Sequence, residues 1–240
     1  MSASETSDRV ATGVAGLDQM LQGGFPPGHV VLVLGPPGVG KTCLSLQFLN
    51  AGLTRGEKAV YLSLEEDPET LLASAEGFGW PLAAAVKDGR LKINRLDPQD
   101  AGNSLKRIKA ELPRELQGFA PRRIVVDSVS LLSALASEES ERRSTLFSLA
   151  RACRAAGATS LFTAEADPVH PEVSRDALSE YVADGVLVLG PTEDISRHRA
   201  GLALRVLKMR RTGHLRTRQP YAIGPGGITV DSKAVDFGTF

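Results

Sequence analysis

The chain has 240 residues, 42% hydrophobic and 23% charged, which suits one large domain that buries a sheet between helix layers. Lysine plus arginine and aspartate plus glutamate balance at 28 each, so bulk charge directs it neither to nucleic acid nor to a membrane surface. Two cysteines, Cys43 and Cys153, exclude a disulfide framework and fit a reduced, cytoplasmic setting, and no apolar run reaches transmembrane length.

Residues 1–8 read as a polar tail rather than a signal peptide, residues 9–230 as one α/β domain, and 231–240 as a second tail. Val14 to Gly28 mixes a short helical stretch, Leu17 to Leu21, with Gly23-Gly24 and Pro26-Pro27, a lead-in to the first strand. His29 to Leu34 reads as a buried parallel strand. Gly35-Pro-Pro-Gly-Val-Gly-Lys-Thr42 then matches the phosphate-loop pattern G-x-x-x-x-G-K-S/T at every fixed position. Lys41 to Thr54 has helical spacing, with Leu44 facing Phe48 and Leu49 facing Leu53. Strand, glycine loop and helix start thus come in the order the chemistry needs. The N–H groups of Gly38, Val39 and Gly40 can wrap phosphates at a helix N-terminus. Lys41 reaches the β and γ phosphates, and the Thr42 hydroxyl is a Mg²⁺ ligand.

A second strand, Ala59 to Leu64, ends in Glu65-Glu66, and Asp67 as N-cap, Pro68 as first residue and Gly77 as stop frame a helix. Another helical stretch follows Pro81, then a short strand from Leu91 to Asn94, a polar segment from Asp97 to Asn103 and a helix from Ser104 to Leu116. Arg123 to Asp127 is a buried strand ending in a carboxylate. Glu138 to Ala156 is a helix closed by Gly157. Strands at Thr159 to Thr163 and Gly185 to Leu189 flank a polar loop containing Pro168, His170, Pro171 and Glu172. Leu202, Leu204 and Val206 then alternate as in an antiparallel edge strand, and short strands carry Tyr221 to Ile223 and Ile228 to Val230. Parallel βα units followed by antiparallel strands predict an α/β fold with a mixed, mostly parallel sheet flanked by helices.

Asp127, at the C-terminal end of a parallel strand, points toward the crevice where such sheets bind ligands and can hold Mg²⁺ opposite Thr42. Glu65 and Glu66 leave another strand at the same edge. If strand geometry persists they project to opposite faces, so one can deprotonate the attacking water while the other holds a metal water or an interface partner. Spacing does not say which, and a solvated acidic run entering a helix is the bland alternative. From Arg197 to Arg218 there are eight cations and no acid: Arg197, Arg199, Arg205, Lys208, Arg210, Arg211, Arg216 and Arg218. Strand parity puts Lys208, Arg210, Thr212 and His214 on one face. That face can serve a neighbouring copy's triphosphate, bind nucleic-acid phosphates, or act as a basic strand that discourages aggregation. Asn94-Arg-Leu-Asp97 stands out of order for a guanine-reading motif. The four histidines and two cysteines lack metal-ligand spacing, and Cys43 reads as a packing residue.

With these residues in hand, the chain resembles a single-domain member of the KaiC family, in the RecA/RadA/DnaB superfamily of P-loop ATPases. The likeness runs from about Arg9 to Val230. It rests on Thr12-Gly-x-x-Gly-Leu-Asp18, Gly35 to Thr42, Glu65-Glu66, Phe78-Gly79-Trp80, Val125-Val-Asp127-Ser128, and Leu207-Lys208-Met-Arg210-Arg-Thr212-Gly-His214. The resemblance implies a RecA-like core and a hexameric ring with ATP at each subunit interface. Gly38 to Cys43 would bind ATP in cis, with Mg²⁺ at Thr42, and Glu65 would be the proton acceptor. Lys208, Met209, Arg210, Thr212 and His214 would reach the neighbour's nucleotide, the two cations near its γ-phosphate. The loops after Asp127 and around His170 would line the ring's channel. The chain departs from the clock protein in carrying one domain, not two. Glu180-Tyr181 stands where the autokinase domain has a Ser-Thr pair, which argues against autophosphorylation there. Gly77 replaces a family serine near the adenine, and no long partner-binding extension follows Asp231.

The resulting expectation is a homo-oligomeric ATPase that releases ADP and phosphate and couples nucleotide state to a protein partner the sequence does not name. Two alternatives are a recombination accessory ATPase on single-stranded DNA and a nucleotide-dependent scaffold that does not turn over. Glu138-Glu-Ser-Glu141 in the loop after Asp127 argues against DNA.

Overall fold

The computed structural model describes residues 8–97, 100–194 and 199–233. The expected terminal tails fall largely outside these, as do Arg197 and His198 of the basic stretch. A one-turn helix, α1 (Leu17–Met20), leads to β1 (Val30–Leu34), whose five residues are all buried. Then follow α2 (Lys41–Leu53), β2 (Ala59–Ser63), α3 (Pro68–Gly77), α4 (Leu82–Lys87) and β3 (Leu91–Arg95). Asp67 and Pro68 occupy the N-cap and first position of α3, as their types predict. The helix expected from Ser104 to Leu116 is instead three joined pieces: α5 (Ala101–Lys106), a π-helical turn (Arg107–Glu111) and α6 (Leu112–Phe119). Pro113 has no N–H to return to the preceding turn, and the widened turn lies just upstream of it.

The chain continues through β4 (Arg123–Asp127), α7 (Leu132–Leu135), α8 (Glu139–Ala155), β5 (Thr159–Ala164), α9 (Ser179–Val182), β6 (Gly185–Asp194), β7 (Arg199–Met209), β8 (Gln219–Gly224) and β9 (Gly227–Val230). Among the described residues nine strands form one sheet in the order β3-β2-β4-β5-β1-β6-β7-β8-β9, parallel through β6 and antiparallel beyond. The strand expected at an edge, β7, is interior, because β8 pairs with Leu202 to Leu204. The outermost strands are β3 and β9, and β9 is bonded on its outer side by Ala15 and Gln47.

Alternation along β1 divides the core. Val31 and Val33 join Leu44, Phe48 and Leu49 of α2 on one face. Val30, Leu32 and Leu34 join Leu146, Leu149 and Cys153 of α8 on the other. A sheet covered on both faces explains why β1, β2, β4 and β5 are buried throughout. Among the described residues the largest fully buried side chain is a charged one, Arg123 on β4. Its guanidinium pairs with Glu57 at 2.6 Å, donates to the carbonyls of Ala11 and Phe48, and stacks over the Phe48 ring. Gly52 is glycine for this reason: a Cβ there would lie 2.2 Å from Arg123 Nε.

Candidate active site

Register brings the C-terminal ends of four neighbouring strands to one edge: Ser63 of β2 stands beside Asp127 of β4, and Leu34 of β1 beside Ala164 of β5. This is the crevice in which open parallel sheets bind ligands. Asp127 is its pivot. Its carboxylate accepts from the Thr42 hydroxyl at 2.9 Å, from the Tyr61 phenol at 2.5 Å and from the Thr163 hydroxyl. With only 5% of the residue exposed, these three donors orient both of its oxygens.

The phosphate loop is shaped by backbone geometry. Gly38 and Gly40 take φ of +84° and +89°, where side chains are strained, and Gly40 is the left-handed N-cap of α2. A Cβ on Gly35 would lie 2.6 Å from the Leu189 carbonyl oxygen. The buried Tyr221 phenol of β8 donates to the Val39 carbonyl at 2.6 Å and props the loop from outside. Lys41 folds back onto the loop, donating to the carbonyls of Gly35 and Pro36 at 2.8 and 3.0 Å. Burial lowers its pKa, while the charges of Asp127, Glu165 and Glu65 oppose that shift. Cys43 is buried and its thiol pushed up to about 11, which fits packing rather than reactivity.

The glutamate pair does not continue the strand. β2 stops at Ser63, whose hydroxyl donates to the Glu66 carbonyl at 2.6 Å and accepts the N–H groups of Glu65 and Glu66. The turn replaces the expected opposite-face alternation, and both carboxylates stay near Asp127. Burial, then Asp127, raise the pKa of each. Lys41 and Glu165 also act on Glu65, whereas the further charge acting on Glu66 is that of Glu65 itself.

Gly38 to Cys43, Glu65, Glu66 and Asp127 therefore come together. The basic group does not join them. Strand β7 ends at Met209, and Arg211 turns the chain with φ of +57°, so the parity expected of Lys208, Arg210, Thr212 and His214 is broken. Lys208 donates to the Ala183 carbonyl at 2.8 Å, and Arg210 pairs with Asp184 at 3.1 Å. Met209 is buried against Gly185, Thr212 accepts from Arg9, and His214 Nδ1 lies 3.3 Å from the Thr212 carbonyl. Asp184 holds the N–H of Val30, at the start of β1. The phosphate loop follows the end of that five-residue strand, about 16 Å away at 3.3 Å per residue.

Three partners were not singled out from the sequence. Tyr61 and Thr163 are polar-tipped residues in apolar strands, and only the strand order brings them to Asp127. Glu165 follows β5 directly and is near enough to influence both Lys41 and Glu65. Its position, a carboxylate just past a parallel strand, is the signal that marked Asp127. Glu165 also pairs with Arg175 at 2.7 Å, and its N–H donates to Ser130.

The residues fit Mg²⁺ with a nucleoside triphosphate. Thr42 and Asp127 offer hard oxygen donors, and among the described residues no cluster of three or more His, Cys, Asp or Glu forms an all-protein metal cage. That pattern suits a cation held partly by phosphates. Strand, glycine loop, helix and distal carboxylate on this sheet define a P-loop ATPase core of RecA type. The family model described as "ATPase: KaiC" matches residues 10–235, and the chain belongs to that family. It is 31% identical to the circadian clock oscillator protein KaiC of Synechococcus elongatus over 92% of this chain, yet spans only 44% of that relative. A UPF0273 protein of Methanopyrus kandleri is 33% identical, with 95% of this chain and 94% of the relative covered. The crystal structure of a KaiC-like protein from Pyrococcus horikoshii superposes with a TM-score of 0.82 at 32% identity, covering 93% of this chain and 99% of that one.

Proposed function

We propose that the protein is a Mg²⁺-dependent ATP hydrolase whose sites are completed between copies of a homo-oligomer, hexameric as the KaiC resemblance implies. Bound Mg²⁺ would supply charge neutralisation at the β and γ phosphates, held by Thr42 and Asp127. The N–H groups of Gly38 to Gly40 and the Lys41 ammonium bind the phosphates, Lys41 leaving the carbonyls of Gly35 and Pro36 to do so. Glu65 accepts the proton of the water that attacks the γ-phosphorus, and ADP departs with the bridging oxygen. Glu65 is preferred to Glu66 because the KaiC resemblance implies it, and its charge also acts on Lys41. The carrying observation is the convergence of Lys41, Thr42, Glu65 and Asp127 at one sheet edge, with Lys208 and Arg210 at the other. Cations that cannot reach the phosphates of their own chain are available to the next copy's γ-phosphate, provided Arg210 exchanges Asp184 for it. Nucleotide held from both sides would then set the geometry between copies and so gate a protein partner. Two buried free cysteines support a cytoplasmic setting.

The test is phosphate release by wild type, Glu65→Gln and Arg210→Ala, with light scattering on the same samples in ATP, ADP and no nucleotide. Each variant is expected to lose at least about 100-fold in kcat while staying folded. Normal turnover by both, or full activity in a strict monomer, would refute the composite site.

A further inference from the structure

His29 immediately precedes β1 and is fully buried. Its ring lies not at the phosphate loop but beside the turn that leaves β7. Nε2 stands 3.3 Å from the Arg210 carbonyl oxygen, and Nδ1 stands 3.4 Å from both the Pro27 carbonyl oxygen and the Arg211 guanidinium. These contacts select a tautomer. A guanidinium can only donate, so Nδ1 accepts from Arg211 and the ring proton sits on Nε2, which donates it to Arg210. The other tautomer satisfies Pro27 alone, setting a lone pair against the Arg210 carbonyl and an N–H against Arg211. Burial, helped by Arg211, lowers the ring's pKa below the ordinary 6.5, while Asp184 and the two carbonyls oppose it. The ring is neutral at pH 7.

Arg210 is held at three points. Its N–H donates to the Asp184 carbonyl at 2.9 Å, its guanidinium pairs with the Asp184 carboxylate at 3.1 Å, and its carbonyl accepts from His29. The Thr212 hydroxyl also donates to that carbonyl, at 3.4 Å, but Thr212 travels with the same turn. Among the described contacts His29 is the donor that ties the carbonyl to the sheet, since the His29 carbonyl in turn accepts the N–H of Ser160 on β5. When the guanidinium exchanges Asp184 for a neighbour's phosphate, one of the three anchors goes. The two backbone anchors then keep the side chain aimed. The turn needs them, because Arg211 takes φ of +57°, a conformation that arginine seldom adopts unsupported.

We infer that His29 is a positioning residue for Arg210: its Nε2–H holds the arginine's backbone while the side chain serves the next copy's γ-phosphate. This rests on the composite site proposed above and adds to it the part that aims the cation. His29 acts on the donated half of the site, so the phosphate loop of the same chain stays intact. Loss of the bond misdirects Arg210 in the transition state and leaves binding of ATP to the loop unaltered, so kcat falls while KM holds.

Three replacements of His29 test this, with phosphate release, light scattering and thermal melting on each. His29→Phe keeps the ring volume without a donor, His29→Asn places an amide near the Nδ1 position, and His29→Gln places one near Nε2. His29→Phe and His29→Asn are expected to lose at least about tenfold in kcat with KM for ATP within about threefold, and His29→Gln to recover most of that loss. In mixtures, exchange of His29→Phe with Glu65→Gln copies is expected to restore about one quarter of wild-type phosphate release, and exchange with Arg210→Ala copies to restore none. A smaller loss in folded His29→Phe, or in His29→Asn should the former not fold, overturns the inference and leaves the composite site standing while Arg210→Ala is impaired. A His29→Gln no better than His29→Asn, or a loss that Glu65→Gln copies do not rescue, overturns it too. Normal turnover by Arg210→Ala overturns both.

Discussion

Asp127 and Glu65 are two carboxylates at one sheet edge placed in opposite surroundings. Asp127 takes three hydroxyl donors, from Thr42, Tyr61 and Thr163, which organise it as an acceptor with fixed orientation. No hydroxyl orients the Glu65 side chain among the described contacts. Burial and the negative charges of Asp127 and Glu165 raise its pKa above the ordinary 4.5, against the pull of Lys41. A proton acceptor must be ionised before turnover, so activity falls as pH drops through this raised value. Glu165→Gln removes one raising charge, and the acid limb of kcat/KM against pH is expected to move to lower pH. A limb that stays in place would show that Glu165 does not act on Glu65. The stability sign runs the other way. The folded state binds this proton more tightly than the unfolded chain, so the Glu65 contribution favours folding at low pH and is lost as pH rises through the folded value. Glu65→Gln should accordingly raise the Tm at neutral pH while it abolishes hydrolysis.

At the scale of elements, α2 carries Lys41 and Thr42, and its placement depends on residues remote in sequence. Gln47, one and a half turns into the helix, donates to the carbonyls of Gly13 and Ile228 and accepts the N–H of Ile228. One amide thus ties the lead-in, the phosphate-loop helix and β9 together, while Tyr221 of β8 holds Val39. Gln47→Leu leaves three buried or part-buried backbone groups without that partner and is expected to cost about 2–4 kcal/mol by urea denaturation. A loss under about 1 kcal/mol would show that water replaces the amide. Local pattern sufficed for α2, α3 and the strands around them, because capping residues, apolar period and glycine stops act within a few positions. It failed where the partner is distant. The interior place of β7 depends on β8, and the role of Gln47 depends on an element 181 residues away. The break in parity after Met209 had a local cause, the left-handed turn at Arg211, yet arginine carries no mark of it.

Across the whole molecule, the proposed function draws on the two ends of one sheet. Chain order placed Lys41, Thr42, Asp127 and the Glu65-Glu66 pair together because each follows a parallel strand, and parallel strands end on one side. The same logic puts Lys208 and Arg210, at the end of antiparallel β7, beside the start of β1. What the sequence could not show was Tyr61 and Thr163 closing on Asp127, which requires the strand order β2-β4-β5. The proposed composite site, with half at each end of the sheet, makes a strong prediction about mixtures. Under that proposal Glu65→Gln would spoil the end that holds the phosphates, and Arg210→Ala the end offered to a neighbour. Each homo-oligomer is expected to be inactive. In a random equal mixture, an interface is intact when an Arg210→Ala copy supplies the phosphate loop and a Glu65→Gln copy supplies the arginine. That arrangement occurs at about one quarter of the head-to-tail interfaces, so mixing and reassembly should restore about one quarter of wild-type phosphate release. The gain should vanish when both substitutions sit on one chain, or when the copies are mixed but not allowed to exchange. A mixture that stays inactive after proven exchange would mean that each chain works alone or that Arg210 does not serve its neighbour.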